Sequence, residues 1–146
     1  MSIGRLRGVE IAFEHAINIS ITGALPSGVE NTVVARIVTV PAYLCLKAFA
    51  LNERLKAKDA YDVYFCLRQY EGGSGALARD CRGLLTLSRG HEAMLILKQK
   101  FETLRSVGPQ WAADVASGQG DDRERVSRDA YERAQIFVRE LERTNR

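Results

Sequence analysis

The positions of apolar and polar residues divide the chain into a β-rich start and a longer helical remainder. Residues 17–24 begin with isoleucines that alternate with short polar residues, and this period of two predicts a strand. Residues 5–14 and the β-branched residues 32–40 predict two more strands, while the Gly- and Pro-containing residues 23–31 predict a hairpin loop. We expect the three strands to form an antiparallel meander.

From residue 41 onward, apolar residues recur at intervals of three and four, as they do on one face of a helix. Thr39 is suited to cap the first helix, and Pro41 is suited to its first turn. The second helix carries an apolar stripe formed by Ala60, Val63, Tyr64 and Leu67. Gly72 and Gly73 are expected to end it. Further helices are expected from a Ser74 cap to Leu85, from a Ser88 cap to about Thr103, around Trp111, and over residues 122–143.

Strands followed by helices are typical of the α+β class. We therefore predict an N-terminal antiparallel three-strand meander over residues 1–40 and a bundle of about five helices over residues 41–146. The pattern contains no helix before the first strand to cover the other face of the sheet, so the sheet is expected to expose an edge. Partner strands from another polypeptide, or a second copy of this chain, could cover that edge.

Composition narrows the classes of protein that remain. The chain has 146 residues, which allows it to bury roughly two thirds of its unfolded surface. Its 21 basic and 18 acidic residues leave a net charge of +3, which is too balanced to indicate nucleic-acid binding by itself. Three cysteines without a Cys-x-x-Cys pair and only two histidines argue against a zinc site and predict a cytoplasmic location. No apolar run approaches the ~20 residues that span a membrane.

A dense group of charges lies at the start of the helical part. If this stretch formed one straight helix, Lys47, Arg54 and Lys58 would line one face, with Lys47 and Arg54 about 10 Å apart along the axis. Such a row can bind nucleotide phosphates, because lysine offers a point charge and arginine a fork of donors. Asp59 and Asp62 are one turn apart, and they could orient these cations by ion pairing.

The same carboxylates also fit a purely structural role. Asp59 and Asp62 could pair with Lys56, Lys58 or Arg68 on a solvated helix face, as the charges of most surface clusters do. The neighbouring aromatic residues, however, predict that some of these charges are partly buried. Burying a charge is costly unless it is paired or used to bind something. Both interpretations stay open at the level of the sequence.

Residues 41–70 resemble the AbiEii/AbiGii toxin-type nucleotidyltransferase family, which is similar to the DNA polymerase β nucleotidyltransferase fold. Members carry a helix lysine, a downstream arginine and then a basic-Asp-x-x-Asp segment. The matching residues here are Lys47, Arg54, Lys58, Asp59 and Asp62. The resemblance implies that the three cations bind a nucleoside triphosphate and that the two aspartates belong to the catalytic site, where they orient it.

One part of the family pattern has no match in this chain. Members begin with a Gly-Ser turn followed by a strand bearing Asp-x-Asp, and those carboxylates hold the catalytic metal ions. The Gly72-Gly73-Ser74 segment follows a helix and comes after the Lys-Asp motif, so it is expected to be a helix break. The chain thus resembles only the C-terminal part of such an enzyme. By itself it is expected to hold no metal, and it would use a nucleoside triphosphate with Mg²⁺ only when completed by the missing half.

Two functions are consistent with these observations. The first is a truncated nucleotidyltransferase-like toxin that is inactive alone or needs a complementing N-terminal half. Its expected partners are an antitoxin and that half, with no membrane partner and with nucleic acid only as an acceptor. The second is a non-enzymatic module that binds a partner or forms a homodimer through the exposed sheet edge.

Overall fold

A computed structural model describes residues 7–143. Within this range the chain is α+β and consists of one two-strand hairpin and seven α-helices. The elements in chain order are α1 (Val9–Glu14), β1 (Ala16–Ala24), β2 (Glu30–Val38), α2 (Val40–Arg54), α3 (Ala57–Gln69), α4 (Gly73–Cys81), a 3₁₀-helix (Arg82–Thr86), α5 (Ser88–Lys100), α6 (Val107–Ser117) and α7 (Arg123–Glu142).

The two strands form an antiparallel hairpin whose register runs from the Ala16–Val38 pair to the Ala24–Glu30 pair. Both strands agree with the sequence prediction, although the loop covers only residues 25–29 and is shorter than expected. Within residues 7–143 each strand has one paired and one unpaired edge, so the expected exposed edge is present. Four apolar side chains on one face of the hairpin are also exposed, by 40–55%: Ile17, Ile21, Val33 and Ile37.

The strand predicted for residues 5–14 is wrong. Residues from Val9 to Glu14 form α1 instead, and residues 5 and 6 lie outside the described range. Ile11 and Ala12 are neighbours and both are buried, where α1 packs on α2. A strand would point two neighbours to opposite faces, so this burial favours a helix. The three-strand meander is therefore wrong for residues 7–143, and a helix does precede the hairpin.

A break between α2 and α3 sets the position of the charged residues. The Thr39 cap is confirmed, because Thr39 Oγ1 accepts a hydrogen bond from Ala42 N at 3.4 Å, and Pro41 lies in the first turn. The single straight helix considered from residue 47 to residue 58 is wrong. α2 ends at Arg54, since Leu55 adopts a left-handed conformation with φ of 53°. The chain then turns, and α3 packs back against α2.

The core lies around α2 and α3. The predicted stripe on α3 is confirmed, since each of its residues is at most 2% exposed. A larger cluster joins α2 and α3 to α4, α5 and α7, and a smaller one joins α3 to α6 and α7. None of the helices in residues 7–143 is long and apolar enough to cross a bilayer.

The helix ends agree only partly with the predicted caps. Ser74 is wrong as a cap, because it lies inside α4, where its buried Oγ donates to the carbonyl of Leu67 at 3.0 Å. Ser88 begins α5 without a side-chain capping bond. Asp122 does cap α7, since its Oδ1 accepts from Arg125 N at 2.8 Å. Six α-helices follow the hairpin within the described range, against about five predicted.

Candidate functional site

Five charged side chains converge where α2 turns into α3. Arg54 is the last residue of α2 and Asp59 lies in the first turn of α3, so both are at the junction. Lys47 reaches them from two turns further back on α2, because α3 runs alongside that part of the helix. We call these residues the helix-junction cluster: Lys47, Arg54, Lys58, Asp59 and Asp62.

Asp59 is the buried centre of the cluster and is only 2% exposed. Its Oδ1 accepts hydrogen bonds from Lys47 Nζ at 3.0 Å and from Arg54 Nη2 at 2.8 Å. Its Oδ2 is also buried and has no hydrogen-bond partner among the described residues. One carboxylate oxygen therefore holds a lysine and an arginine side by side.

Asp62 forms the more accessible side of the cluster. Its Oδ2 lies 2.8 Å from Lys47 Nζ and 3.1 Å from Lys58 Nζ. The Lys47 side chain is 16% exposed and bridges both aspartates, whereas that of Lys58 is 75% exposed. The structure thus brings together all five residues that the sequence singled out, and it orders them from a buried anion to exposed cations.

The electrostatics keep Lys47 charged. Burial favours a lower pKa for Lys47, but the hydrogen bonds to Asp62 and Asp59 outweigh burial and raise its pKa above the ordinary value. Tyr43 lies one turn earlier on α2, with the Lys47 Nζ 5.5 Å from the centre of its ring. Burial, and then the charge of Asp62, raise the pKa of Tyr43, so its hydroxyl stays protonated.

Tyr43 is a member of this site that the sequence reasoning missed. The pattern of charges did not single it out. The signal that could have found it is its i, i+4 spacing from Lys47, which places the two side chains on the same face of a helix. The contact is a cation–π interaction, which favours a charged lysine at this position.

The structural interpretation of the carboxylates holds for one pair. Asp62 does pair with Lys58, one of the partners that this interpretation names. Neither Lys56 nor Arg68 forms an ion pair with either aspartate within residues 7–143. Asp59 instead accepts hydrogen bonds from Lys47 and Arg54, two of the cations to which the family resemblance assigns nucleotide binding. The buried part of the cluster is therefore built from the motif residues themselves.

The aspartates of the cluster do not fit Mg²⁺. Lysine and arginine nitrogens lie 2.8–3.1 Å from Asp59 Oδ1 and Asp62 Oδ2, where their positive charge would repel a metal ion. Within the described residues, no group of three or more His, Cys, Asp or Glu side chains could hold a metal ion. The Gly73-Ser74 pair forms the start of α4, in agreement with a helix break.

A comparison with protein families finds one family that matches most of the chain. Residues 7–134 match the family described as nucleotidyl transferase AbiEii toxin, of type IV toxin–antitoxin systems. The match covers well over half of the chain, including the hairpin and the whole helix-junction cluster. No curated protein and no solved structure matches the chain. The similarity to the polymerase β fold stays a prediction. The family expected from the charged segment is confirmed, and the chain belongs to the nucleotidyl transferase AbiEii toxin family.

Proposed function

We propose that the helix-junction cluster binds the triphosphate of a nucleotide and forms the nucleotide side of a nucleotidyltransferase toxin site. The observation that carries the proposal is that one oxygen of Asp59, Oδ1, accepts hydrogen bonds from both Lys47 and Arg54, at 3.0 and 2.8 Å. Two cations that already converge on one carboxylate oxygen can converge in the same way on a phosphate oxygen.

The burial of each cation assigns it a role in this proposal. The side chain of Arg54 is 46% exposed and touches Asp59 with only one nitrogen, so its remaining donors can reach a phosphate. Lys58 extends the row into solvent, whereas Lys47 is held between the two aspartates. Three cations and two carboxylates leave one net positive charge, which favours a polyanionic ligand.

Transfer chemistry needs carboxylates that hold Mg²⁺, and the cluster does not fit that ion. We therefore assign the metal to an Asp-x-Asp segment outside these 146 residues, which contain none. The aspartates of this chain act as positioning groups for the cations. In this proposal the chain is inactive alone and depends on the complementing half. Membership in a type IV toxin–antitoxin family supports an antitoxin as a functional partner.

Binding of ATP in EDTA, measured by isothermal titration calorimetry, tests the phosphate site. Replacing Arg54 by alanine should weaken binding roughly 10- to 100-fold, because it removes charge-assisted hydrogen bonds. Arg54→Lys should recover only part of the loss, since lysine lacks the fork. Arg128→Ala is the matched control, because it removes an exposed arginine of α7. Absence of binding by the wild type, or equal losses for Arg54→Ala and Arg128→Ala, would contradict the proposal.

The dependence on a complementing half has its own test. The isolated chain should incorporate no labelled nucleotide into RNA or protein acceptors with Mg²⁺ present. Adding a polypeptide that carries the Gly-Ser and Asp-x-Asp elements of the family should restore transfer. Robust transfer by the purified chain alone would show that the metal is held by residues that the proposal excludes.

The alternative function, an interaction module, is favoured by the hairpin. Its apolar face and two unpaired edges are exposed within the described residues, as in sheets that accept another strand. If the chain forms a homodimer in this way, Ile21→Lys should convert it to a monomer in light scattering. Leu95→Lys, at an equally exposed position on α5, should have no effect. If the wild type is a monomer in light scattering, the chain does not form a homodimer through the hairpin.

A further inference from the structure

An exposed aromatic surface lies on α3 beside the helix-junction cluster. Phe65 is 51% exposed, and Tyr61 lies one turn before it. The centres of the two rings are 6.4 Å apart and the ring planes are tilted by 40°. We call this pair the aromatic platform: Tyr61 and Phe65. No charge, cap or core contact described above requires an aromatic residue at position 65.

The two rings differ in how firmly they are held. The hydroxyl of Tyr61 donates to Gln119 Oε1 at 3.4 Å, and its ring makes an edge contact with the buried Tyr64. Tyr61 is therefore fixed against the body of the protein. Phe65 packs on this fixed ring and leaves much of its own surface open to solvent.

Helix geometry places Phe65 of the platform on the same face of α3 as Lys58 of the cluster. Phe65 follows Lys58 by seven residues, which is close to two full turns, so the two side chains leave α3 on the same face about 10 Å apart. Asp62 lies between them on that face. The sugar and first phosphate of a nucleoside triphosphate can bridge such a separation, with the base at Phe65 and the last phosphates at Lys58 and Arg54.

We propose that Phe65, supported by Tyr61, stacks the base of the nucleotide whose phosphates bind the helix-junction cluster, an inference that rests on the proposed function. Stacking on an aromatic ring tolerates any base, because every base has a π-face. The site therefore recognises nucleotides as a class and does not select one base.

A protein partner fits the platform less well. Two rings present far less area than the ~800 Å² that each partner contributes to a standard protein interface. Single exposed apolar side chains are also common on protein surfaces and do not mark an interface by themselves. The continuity with three cations on the same helix junction points instead to a ligand with an apolar and an anionic end.

The experiment compares two probes, ATP and inorganic tripolyphosphate, both titrated in EDTA. Phe65→Ala should weaken ATP binding roughly 5- to 100-fold, the range expected for the loss of one base–aromatic stack, and should change tripolyphosphate binding less than twofold. Phe65→Leu should behave like alanine, because it keeps apolar bulk without a π-face. Phe65→Trp should bind ATP at least as well as the wild type. Phe13→Ala, at another exposed phenylalanine, is the control.

The outcomes separate the inference from the proposed function. If Phe65→Ala binds ATP as the wild type does while Arg54→Ala weakens the binding of both probes, the stacking inference is wrong and the phosphate site stands. If the wild type binds neither probe, the proposed function fails and the inference fails with it. Equal losses of ATP and tripolyphosphate in Phe65→Ala would also overturn the inference, because Phe65 would then support the site and not the base. A loss of self-association in Phe65→Ala with ATP binding unchanged would assign the platform to a protein contact.

Discussion

Replacing Asp59 by asparagine tests whether the buried anion holds the helix junction together. The change keeps the size of the side chain, but it removes the charge and places an amide beside two cations. Asp59 is only 2% exposed, and its Oδ1 is shared by Lys47 and Arg54. The variant therefore leaves Lys47 with Asp62 alone, and it leaves Arg54 without an anion among the described residues.

The expected magnitude follows from opposing terms. Two charges 3 Å apart attract by about 5–6 kcal/mol at an effective dielectric constant of 20, while removing each ion from water costs several kcal/mol. Loss of one partner from a buried pair typically costs about 3–5 kcal/mol, because the other charge stays buried. Here Arg54 can turn into solvent and Lys47 keeps Asp62, so we expect a loss of about 2–3 kcal/mol. For a domain of this size that corresponds to a fall in Tm of roughly 5–10 °C.

The assay is urea unfolding followed by circular dichroism, and the matched control is Asp114→Asn. Asp114 pairs with Arg123 Nε at 2.7 Å, but both side chains are about half exposed, so its loss should cost less than about 1 kcal/mol. Burial is then the main difference between two similar ion pairs. If both variants lose the same stability within the error of the measurement, burial does not make Asp59 important and the account of the junction is wrong.

Three further predictions concern other parts of the structure. Gly90→Ala should destabilise the fold by about 1–3 kcal/mol or more in urea unfolding, because the new Cβ would lie 2.0 Å from the carbonyl oxygen of Leu84. Gly83→Ala is the control and should be nearly neutral, because its Cβ would meet nothing within 4 Å. Burial and the hydrogen bond to Asp129 raise the pKa of Tyr64 to about 12, so the stability that it contributes is complete below pH 10 and is lost as the pH rises toward 12. Between pH 9 and pH 11, the midpoint of urea unfolding should therefore fall less for Tyr64→Phe than for the wild type. An equal fall in both proteins would show that Tyr64 is not the source of this pH dependence. The three thiols are buried and burial raises their pKa values, so a disulfide reagent should modify them far more slowly in the native chain than in urea: Cys45, Cys66 and Cys81.

Local pattern was a reliable guide to the helices and to the hairpin. The stripe at positions 60, 63, 64 and 67 is buried because residues three and four apart share a face of any helix. The predicted cap at Thr39 formed because a short polar side chain can satisfy the free N–H groups of a following helix. These features depend only on residues within one or two turns of each other.

The errors occurred where contacts between two elements, or an unusual backbone turn, decided the outcome. Residues 9–14 are helical because Ile11 and Ala12 pack on α2, which begins some 30 residues later. Ser74 is buried inside α4, where its hydroxyl donates a hydrogen bond to the carbonyl of Leu67 at the end of α3, and the cap position falls to Gly72. Two separate helices were predicted here, but the left-handed turn at Leu55 that divides them was not, because leucine rarely adopts a positive φ.

The candidate site shows the same division. The order of charges from position 47 to position 62 was sufficient to identify the family, since the spacing of a lysine, an arginine and two aspartates is a property of the chain itself. The spacing did not determine whether those side chains lie in contact in the folded protein. A straight helix would have kept Lys47 well over 10 Å from Asp59 along its axis.

By itself, the sequence determined the residue types of the cluster, the apolar faces of the helices and membership in the AbiEii toxin family. Only the tertiary structure decided that Asp59 is buried between Lys47 and Arg54 and that Phe65 faces solvent beside them. The physical reason is that periodicity acts within a helix, whereas the position of one helix against another is set by a turn and by the packing of the whole core. In this chain the left-handed turn at Leu55 converts a row of charges into a cluster.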